Sequence, residues 1–469
     1  MRRLTALAAT ALGGGLAWLM VGTGFANYDT AYALLWGSDV AHGRRPDYGV
    51  PVAPTPHPLS TAAGAVLSPL GADAEGAAVV LALVFLGALG YLTYALGARW
   101  FGRAAGLLAA AIVLTRQPVL SFGIRAYVDV PYLVCVLAAL LVEARRPRAG
   151  LPVLGLLTLA GLLRPEAWLF AAAYLAWLLL DPVLRSDRRR VTLLAAAAIA
   201  APAIWLLADL AVTGRPLYSL LDTREGAREL GRVTGLRNVP LTVPRRLGEI
   251  LREPVLLGAA VGGIGSLWLL HRRAALPATA GIAALAAFCV LAAAGLPILG
   301  RYLLLPATLL AVFCGAGAFG WRRLPREHPW RGRWRAAGVV VLLVLAAFTP
   351  RQVERVGSLR DSIAIQRTIV SDLRALADTG AIRGACGPVA VPNHRPVPLL
   401  ALWLDRPAAE IVSAQLTRPA RGFYVDPASP RVERNFTLDP NDPARLTAEV
   451  PPGFRRVEGN ASWTLYARC

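Results

Sequence analysis

The strongest constraint on this chain is a repeated one: about eleven stretches of roughly 15–22 residues carry almost no charge. Each is long enough to cross a hydrocarbon core about 30 Å thick. Lipid offers backbone amides no partner, so each stretch must satisfy its own hydrogen bonds as a helix. One or two such runs fit inside a soluble core; this many do not. The spans read as about 4–23, 77–97, 104–121, 130–143, 150–163, 167–181, 191–212, 255–270, 276–295, 302–320 and 336–349. Composition agrees, at 56% hydrophobic, 17% charged and a mean hydropathy of +0.50 over 469 residues. Soluble domains run nearer 45–50% apolar and about 25% charged.

The formal net charge of +20 first invites a nucleic-acid reading. The distribution of the charge argues against it. All the basic residues are arginines, and they gather in short connectors: Arg99 and Arg103, Arg145, Arg146 and Arg148, Arg185 and Arg188 to Arg190, Arg272 and Arg273, and the Arg322–Arg335 group. With a cytoplasmic N-terminus every one of these groups falls inside, as positive-inside topology requires. Removing one span would put several on the wrong face. Met1-Arg2-Arg3 and the apolar run after it have the shape of a signal peptide. Asn27-Tyr28-Asp29 is no small-residue cleavage site, so an uncleaved first span is expected.

The expected fold class is an all-α polytopic membrane protein of about eleven helices with a small C-terminal α/β soluble domain. Residues 1–350 form the membrane domain, with outer loops 25–76, 116–129 and 213–254, and residues 351–469 lie outside. Residues 352–378 carry a helical period, from Val353 and Val356 to Leu373 and Leu376. Short strands are expected at Pro388–Val391, Glu410–Val412, Phe423–Val425, Phe454–Val457 and Trp463–Tyr466. Of five cysteines, Cys135, Cys289 and Cys314 lie in apolar runs, while Cys386 and Cys469 lie in the tail. The last two either form one disulfide or stay separate, and sequence does not decide between these.

Residues able to do chemistry collect in the outer loops. Asp29 follows the first span and shares a helix face with Tyr32 and Trp36. Such a face suits a sugar; on composition alone it reads first as an interfacial amphipathic helix with an aromatic belt. Asp129 stands at the mouth of another span close to Arg125, where it is either functional or a helix cap. Arg164 with Glu166, and Arg301 with Tyr302, stand at span ends; a lone arginine there either snorkels or holds a phosphate. The loop 213–254 is expected to be a mobile cover or a solvated connector. No cluster has convincing metal-ligand spacing, and no cofactor is implied; a divalent ion at Asp29 and Asp129 stays open.

Read in order, these features resemble the GT-C glycosyltransferases, nearest to family 39 and the aminoarabinose and protein mannosyl transferases. The resemblance rests on Asp29 after span one, His57-Pro58-Leu59 closing that loop, Asp129 in the next, and Arg301-Tyr302-Leu303-Leu304-Leu305-Pro306. It covers roughly residues 1–320. It implies transfer of a sugar from a polyprenyl-phosphate donor to a hydroxyl of a glycan, lipid or protein acceptor, usually with inversion, on the outer face of a bacterial inner membrane. It also implies Asp29 as general base, Asp129 in support, Arg301, His57 and Arg125 toward the donor phosphate, and Tyr32, Tyr302, Arg164 and Glu166 lining the substrate site. Two departures stand out. Many relatives have Asp-Glu where this chain has Asp29-Thr30, and Lys-Pro-Pro-Leu or His-Pro-Pro-Leu where it has Pro56-His57-Pro58-Leu59. The competing class is a secondary transporter or lipid-linked-sugar flippase. Those proteins usually carry mid-membrane ionisable residues or internal repeats, whereas Asp129, Glu143, Asp181 and Asp209 sit at span ends.

Overall fold

A computed structural model describes residues 2–383, 386–438 and 447–469. Helices follow one another as α1 (Arg2–Val21), α2 (Tyr28–Ala41), α3 (Pro58–Leu67), α4 (Ala74–Phe101), α5 (Arg103–Thr115), α6 (Gln117–Ile124) and α7 (Asp129–Arg145). Next come α8 (Leu151–Leu163), α9 (Glu166–Leu178), α10 (Pro182–Ser186), α11 (Arg188–Thr213), α12 (Tyr218–Glu229) and α13 (Val239–Leu251). The series ends with α14 (Glu253–Leu269), α15 (His271–Ala293), α16 (Leu304–Phe319), α17 (Trp330–Ala347), α18 (Thr349–Asp378), α19 (Val397–Leu404) and the single turn α20 (Pro430–Val432).

Every expected span lies on a helix. Among the described residues, five helical stretches are long and apolar enough to cross a membrane: Leu4–Val21, Pro58–Phe101, Arg188–Thr213, His271–Ala293 and Gly300–Arg323. Three bent pairs bring the number to eight: α5 with α6 at 64°, Leu236–Leu251 with α14 at 106°, and α17 with α18 at 42°. Proline explains the breaks. Pro118, Pro254 and Pro350 each stand second in the new helix, where a missing N–H is harmless but the preceding helix cannot continue through the ring. The remaining expected spans are α7, α8 and α9, at 17, 13 and 13 residues. A 13-residue helix rises only about 20 Å.

The chain divides into two compact units. The first, Met1–Gly22, Val80–Trp205 and Thr234–Leu359, holds most of the apolar helices. Small residues allow its tightest packing: a Cβ on Gly262 of α14 would strike the Phe313 carbonyl of α16, so only glycine lets these backbones meet.

The second unit comprises Thr23–Val79, Leu206–Val233 and Arg360–Cys469. Its sheet contains β1 (Val389–Val391), β2 (Ile411–Ser413), β3 (Gly422–Pro427), β4 (Arg455–Gly459) and β5 (Trp463–Arg468), one for each strand read from the sequence. The order is β2-β1-β3-β5-β4, with β1 parallel to β2 and β3, and β5 antiparallel to β3 and β4. Cys386 and Cys469 are bonded, their Cα atoms 4.8 Å apart. The division differs from a boundary at 350: it falls at 359/360 inside α18, and loop 25–76 clusters with the tail. The reason is one shared core, in which Tyr32 and Trp36 of α2 pack with Leu373 of α18, Val391, Leu400 and Trp463.

Candidate active site

In the first unit, three loop-to-helix junctions bring charges together. Helix α6 ends in a Schellman turn, with Ala126 N–H donating to Gly123 O at 2.9 Å and Tyr127 N–H to Phe122 O at 3.0 Å. Ala126 takes the left-handed conformation this requires, at φ 58°, a place where glycine is more usual. The chain then re-enters a helix at Asp129. Arg164 is held extended by Pro165 after it, at φ −152° and ψ 131°, and Glu166 opens α9. Arg301 sits in a 3₁₀ turn, Gly300–Leu303.

These four side chains form one network. Arg164 donates from Nε to Glu166 Oε1 at 3.0 Å and from Nη2 to the same oxygen, and its Nη1 pairs with Asp129 Oδ1. Arg301 Nη1 lies 3.9 Å from Asp129 Oδ2. Asp129, Arg164 and Glu166 are 1%, 5% and 6% exposed, whereas the Arg301 side chain keeps 19% of its surface open. Tyrosine rings close the cage: Arg164 lies 3.9 Å from the centre of the Tyr302 ring and 5.4 Å from that of Tyr132, and Arg301 lies 5.3 Å from Tyr127. Burial opposes the Arg164 charge, but the carboxylates of Glu166 and Asp129 outweigh it and raise its pKa. Two readings of single residues are thereby corrected. Asp129 is the first residue of α7 rather than its cap, and its carboxylate goes to arginine; Arg164 is buried and does not snorkel. Arg125 donates from Nη1 to Ser121 Oγ one turn back on α6.

In the second unit, Asn27 caps α2, its Oδ1 accepting from Asp29 N–H at 2.7 Å and Thr30 N–H at 3.3 Å. Asp29 therefore lies in the first turn, half-buried, where the helix dipole favours an anion. Thr30, standing where many relatives have an acid, is tied into the cap by Asn27 Nδ2 to its Oγ1 at 3.0 Å. Tyr32 departs from its expected role. It is 0% exposed, between Tyr28 at 5.1 Å and Trp36 at 4.9 Å, and Trp36 in turn stacks on Tyr48 at 4.8 Å. The face read as sugar platform or interfacial belt is covered by protein. His57 precedes α3 at its N-terminus, half-buried.

Loop 213–254 is largely helical, as α12 and α13. Within the second unit α12 is tethered rather than loose: Tyr218 Oη donates to Tyr48 O at 3.1 Å, Thr223 and Thr55 hydroxyls meet at 2.6 Å, and Ser219 N–H donates to Asp209 Oδ2 at 2.9 Å. Sequence reading passed over one segment here. Asn393-His394-Arg395 follows β1 at its carboxyl end, with the His394 ring 5.2 Å from Tyr28 and Arg395 5.8 Å over it. The flanking Pro392 and Pro396, marking a fixed turn between strand and helix, were the available signal.

The architecture defines a class by fold alone, that of a polytopic helical membrane protein with a small sheet, and this fold is found among solved structures. Among solved structures it is similar to ArnT from Cupriavidus metallidurans bound to undecaprenyl phosphate, at 13% identity and a TM-score of 0.57, covering 99% of this chain and 97% of that one. The same protein in the apo state gives 14% and 0.56 over the same coverage. The oligosaccharyltransferase AglB from Archaeoglobus fulgidus, in complex with an inhibitory peptide and a dolichol-phosphate, matches at 12% identity and a TM-score of 0.52, covering 92% of this chain and 70% of that one. No protein-family model matches the sequence, and no curated protein is significantly similar to it.

Proposed function

We propose that this chain is a glycosyltransferase moving a sugar from a polyprenyl-phosphate donor to an acceptor hydroxyl, with inversion, on the outer face of a bacterial inner membrane. The observation that carries the reading is the buried Asp129–Arg164–Glu166–Arg301 network, within a fold shared with a protein that binds undecaprenyl phosphate. Two carboxylates already balance Arg164 twice over, which leaves Arg301 as the more exposed cation, oriented by Asp129. A guanidinium so oriented suits the planar, two-oxygen demand of a phosphate. His57 is the second donor contact in this reading.

The acceptor oxygen attacks the anomeric carbon as the bond to the phosphate oxygen breaks. Asp29 takes the hydroxyl proton, and the departing polyprenyl phosphate keeps the electron pair, its charge held by Arg301. Asp129, Arg164 and Glu166 fix Arg301 and Tyr302. The Cys386–Cys469 disulfide supports an oxidising compartment for the second unit, hence the outer face.

The direct test is Asp29→Asn, assayed with a panel of polyprenyl-phosphate sugars in detergent or nanodiscs. General-base assistance is typically worth about 10²–10⁴-fold, so kcat should fall by that range with donor KM little changed. Arg301→Ala should raise donor KM as well as lower kcat. Full turnover by a folded Asp29→Asn protein rejects the assigned base.

A further inference from the structure

The first unit contains a second feature that the transfer chemistry does not use. A cavity of about 980 Å³ opens between α7, α8, α9 and α15, reaching Leu305 at one end and Arg99, Arg272 and Arg273 at the other. Its volume is at the upper limit of the roughly 300–1,000 Å³ typical of small-molecule sites. The walls are Leu140, Leu157, Phe170 and Leu276 with small residues such as Ala280 and Ala283 between them.

Charged groups are confined to the arginine end, and they are unevenly matched. Glu143 is occupied by the chain itself, accepting Arg148 N–H at 2.7 Å, Ala149 N–H at 3.4 Å and Tyr174 Oη–H at 2.6 Å. Arg99 donates to the Ala144 carbonyl at 3.2 Å, which caps α7 without neutralising the guanidinium. Among the described residues, none of Arg99, Arg272 and Arg273 forms an ion pair, and Arg99 and Arg273 both act electrostatically on Arg323. Arginines that share one end of an apolar slot with a single carboxylate, itself engaged elsewhere, are complementary to a molecule with one anionic end and a long hydrocarbon remainder.

We propose that this cavity is a binding site for one anionic phospholipid. Its phosphate is held by Arg99, Arg272 and Arg273, and its acyl chains run among Leu140, Leu157 and Leu276 toward Leu305. Basic pockets between membrane helices recognise anionic headgroups in this way. The site uses the leaflet facing the arginine connectors, and it is independent of the donor chemistry assigned to Arg301.

The test reconstitutes the full chain in phosphatidylcholine nanodiscs, adds phosphatidylglycerol, and counts retained lipids by native mass spectrometry. One phosphatidylglycerol per protein is expected, retained at least tenfold more than phosphatidylcholine at equal mole fraction. The double variant Arg272→Ala/Arg273→Ala should lose that preference at least tenfold. Ala283→Phe, which narrows the slot and leaves every charge in place, should lower retention of the lipid. That second variant keeps the test decisive if the first folds poorly. Equal retention of the two lipids overturns the proposal, as does unchanged retention by Ala283→Phe, or selective uptake of undecaprenyl phosphate when both anions are offered.

Discussion

In the first unit Arg164, 5% exposed, stands between two carboxylates, whereas in the second four aromatic rings pack edge-on or tilted from Tyr28 through Tyr32 and Trp36 to Tyr48. Both are buried, and both were visible as polar or aromatic residues near span ends. They are stable for opposite reasons. Charges lose hydration on burial and survive only through one another, so each member of the network depends on the rest. The rings gain by leaving water, and two of their polar tips are served locally: Trp36 Nε1 donates to Asp47 O at 3.0 Å and Tyr28 Oη to Val52 O at 3.0 Å. A network of the first kind is fixed by charge balance and one of the second by volume, and the two should break differently.

The largest effects come from removing one member of each. Arg164→Ala leaves Glu166 buried without its cation and Asp129 with only Arg301, 3.9 Å away, and should cost about 3–5 kcal/mol. Trp36→Ala should cost a similar amount, about 3–5 kcal/mol, through the cavity left behind. The contrast lies in rescue. Adding Asp129→Asn and Glu166→Gln to Arg164→Ala should recover much of the lost thermal stability, because the only charge left is that of the more exposed Arg301. No second polar substitution should rescue Trp36→Ala, whereas a larger neighbour should. An Arg164→Ala protein as stable as the parent would show that water reaches the network and that the charge argument fails.

A smaller effect separates the units by redox chemistry. Cys386 and Cys469 are bonded in the second unit, while Cys135, Cys289 and Cys314 are free. Reduction, or Cys386→Ser/Cys469→Ser, should destabilise the second unit by about 2–4 kcal/mol. Hydrogen exchange should report the loss in β1, β3 and β5 and leave α14 and α16 unchanged. Uniform loss across both units would mean that they unfold as one.

Below that lies the cap of α2. Asn27→Ala removes the acceptor for two amides in the turn that carries Asp29, a change typically worth about 1 kcal/mol. It should also lower transferase turnover more than its stability cost explains, since Asp29 is placed by that turn. If turnover in the folded fraction is unchanged, the turn is held by the ring stack alone.

How far the sequence carried the reading depends on the range of each interaction. Span placement needed only run length and arginine connectors, and the tail strands needed only local alternation, so both were legible. The breaks at Pro118, Pro254 and Pro350 follow from a local rule as well. The partnership of Arg164 with Asp129 joins residues 35 apart in sequence, through charges that each had an ordinary reading at a helix end. Tyr32 and Trp36 were correctly placed on one face; what covers that face is a tail more than three hundred residues later, about which helical spacing says nothing. The lone signal for Asn393-His394-Arg395 was a pair of flanking prolines, and its contact with Tyr28 depends on tertiary structure alone.

The smallest effect is a pH dependence that should appear in one unit only. Burial pushes Asp222 up to about 6; the Tyr218 hydroxyl works against this, and Glu225 and Glu229 add to it. Burial and then Glu433 push Asp426 up to about 6 as well. Both belong to the second unit. A carboxyl whose folded pKa lies above its ordinary value near 3.8 binds its proton more tightly when folded. Its contribution to stability is fully present below about pH 4 and is lost as pH rises through about 6. The second unit should therefore unfold at a higher temperature at pH 5 than at pH 7.5. Asp222→Asn with Asp426→Asn should flatten that slope and raise the unfolding temperature at pH 7.5. The opposite slope, with stability rising from pH 5 to 7.5 and unaffected by the two substitutions, would place both carboxylates in water and remove them from the packed face of the unit.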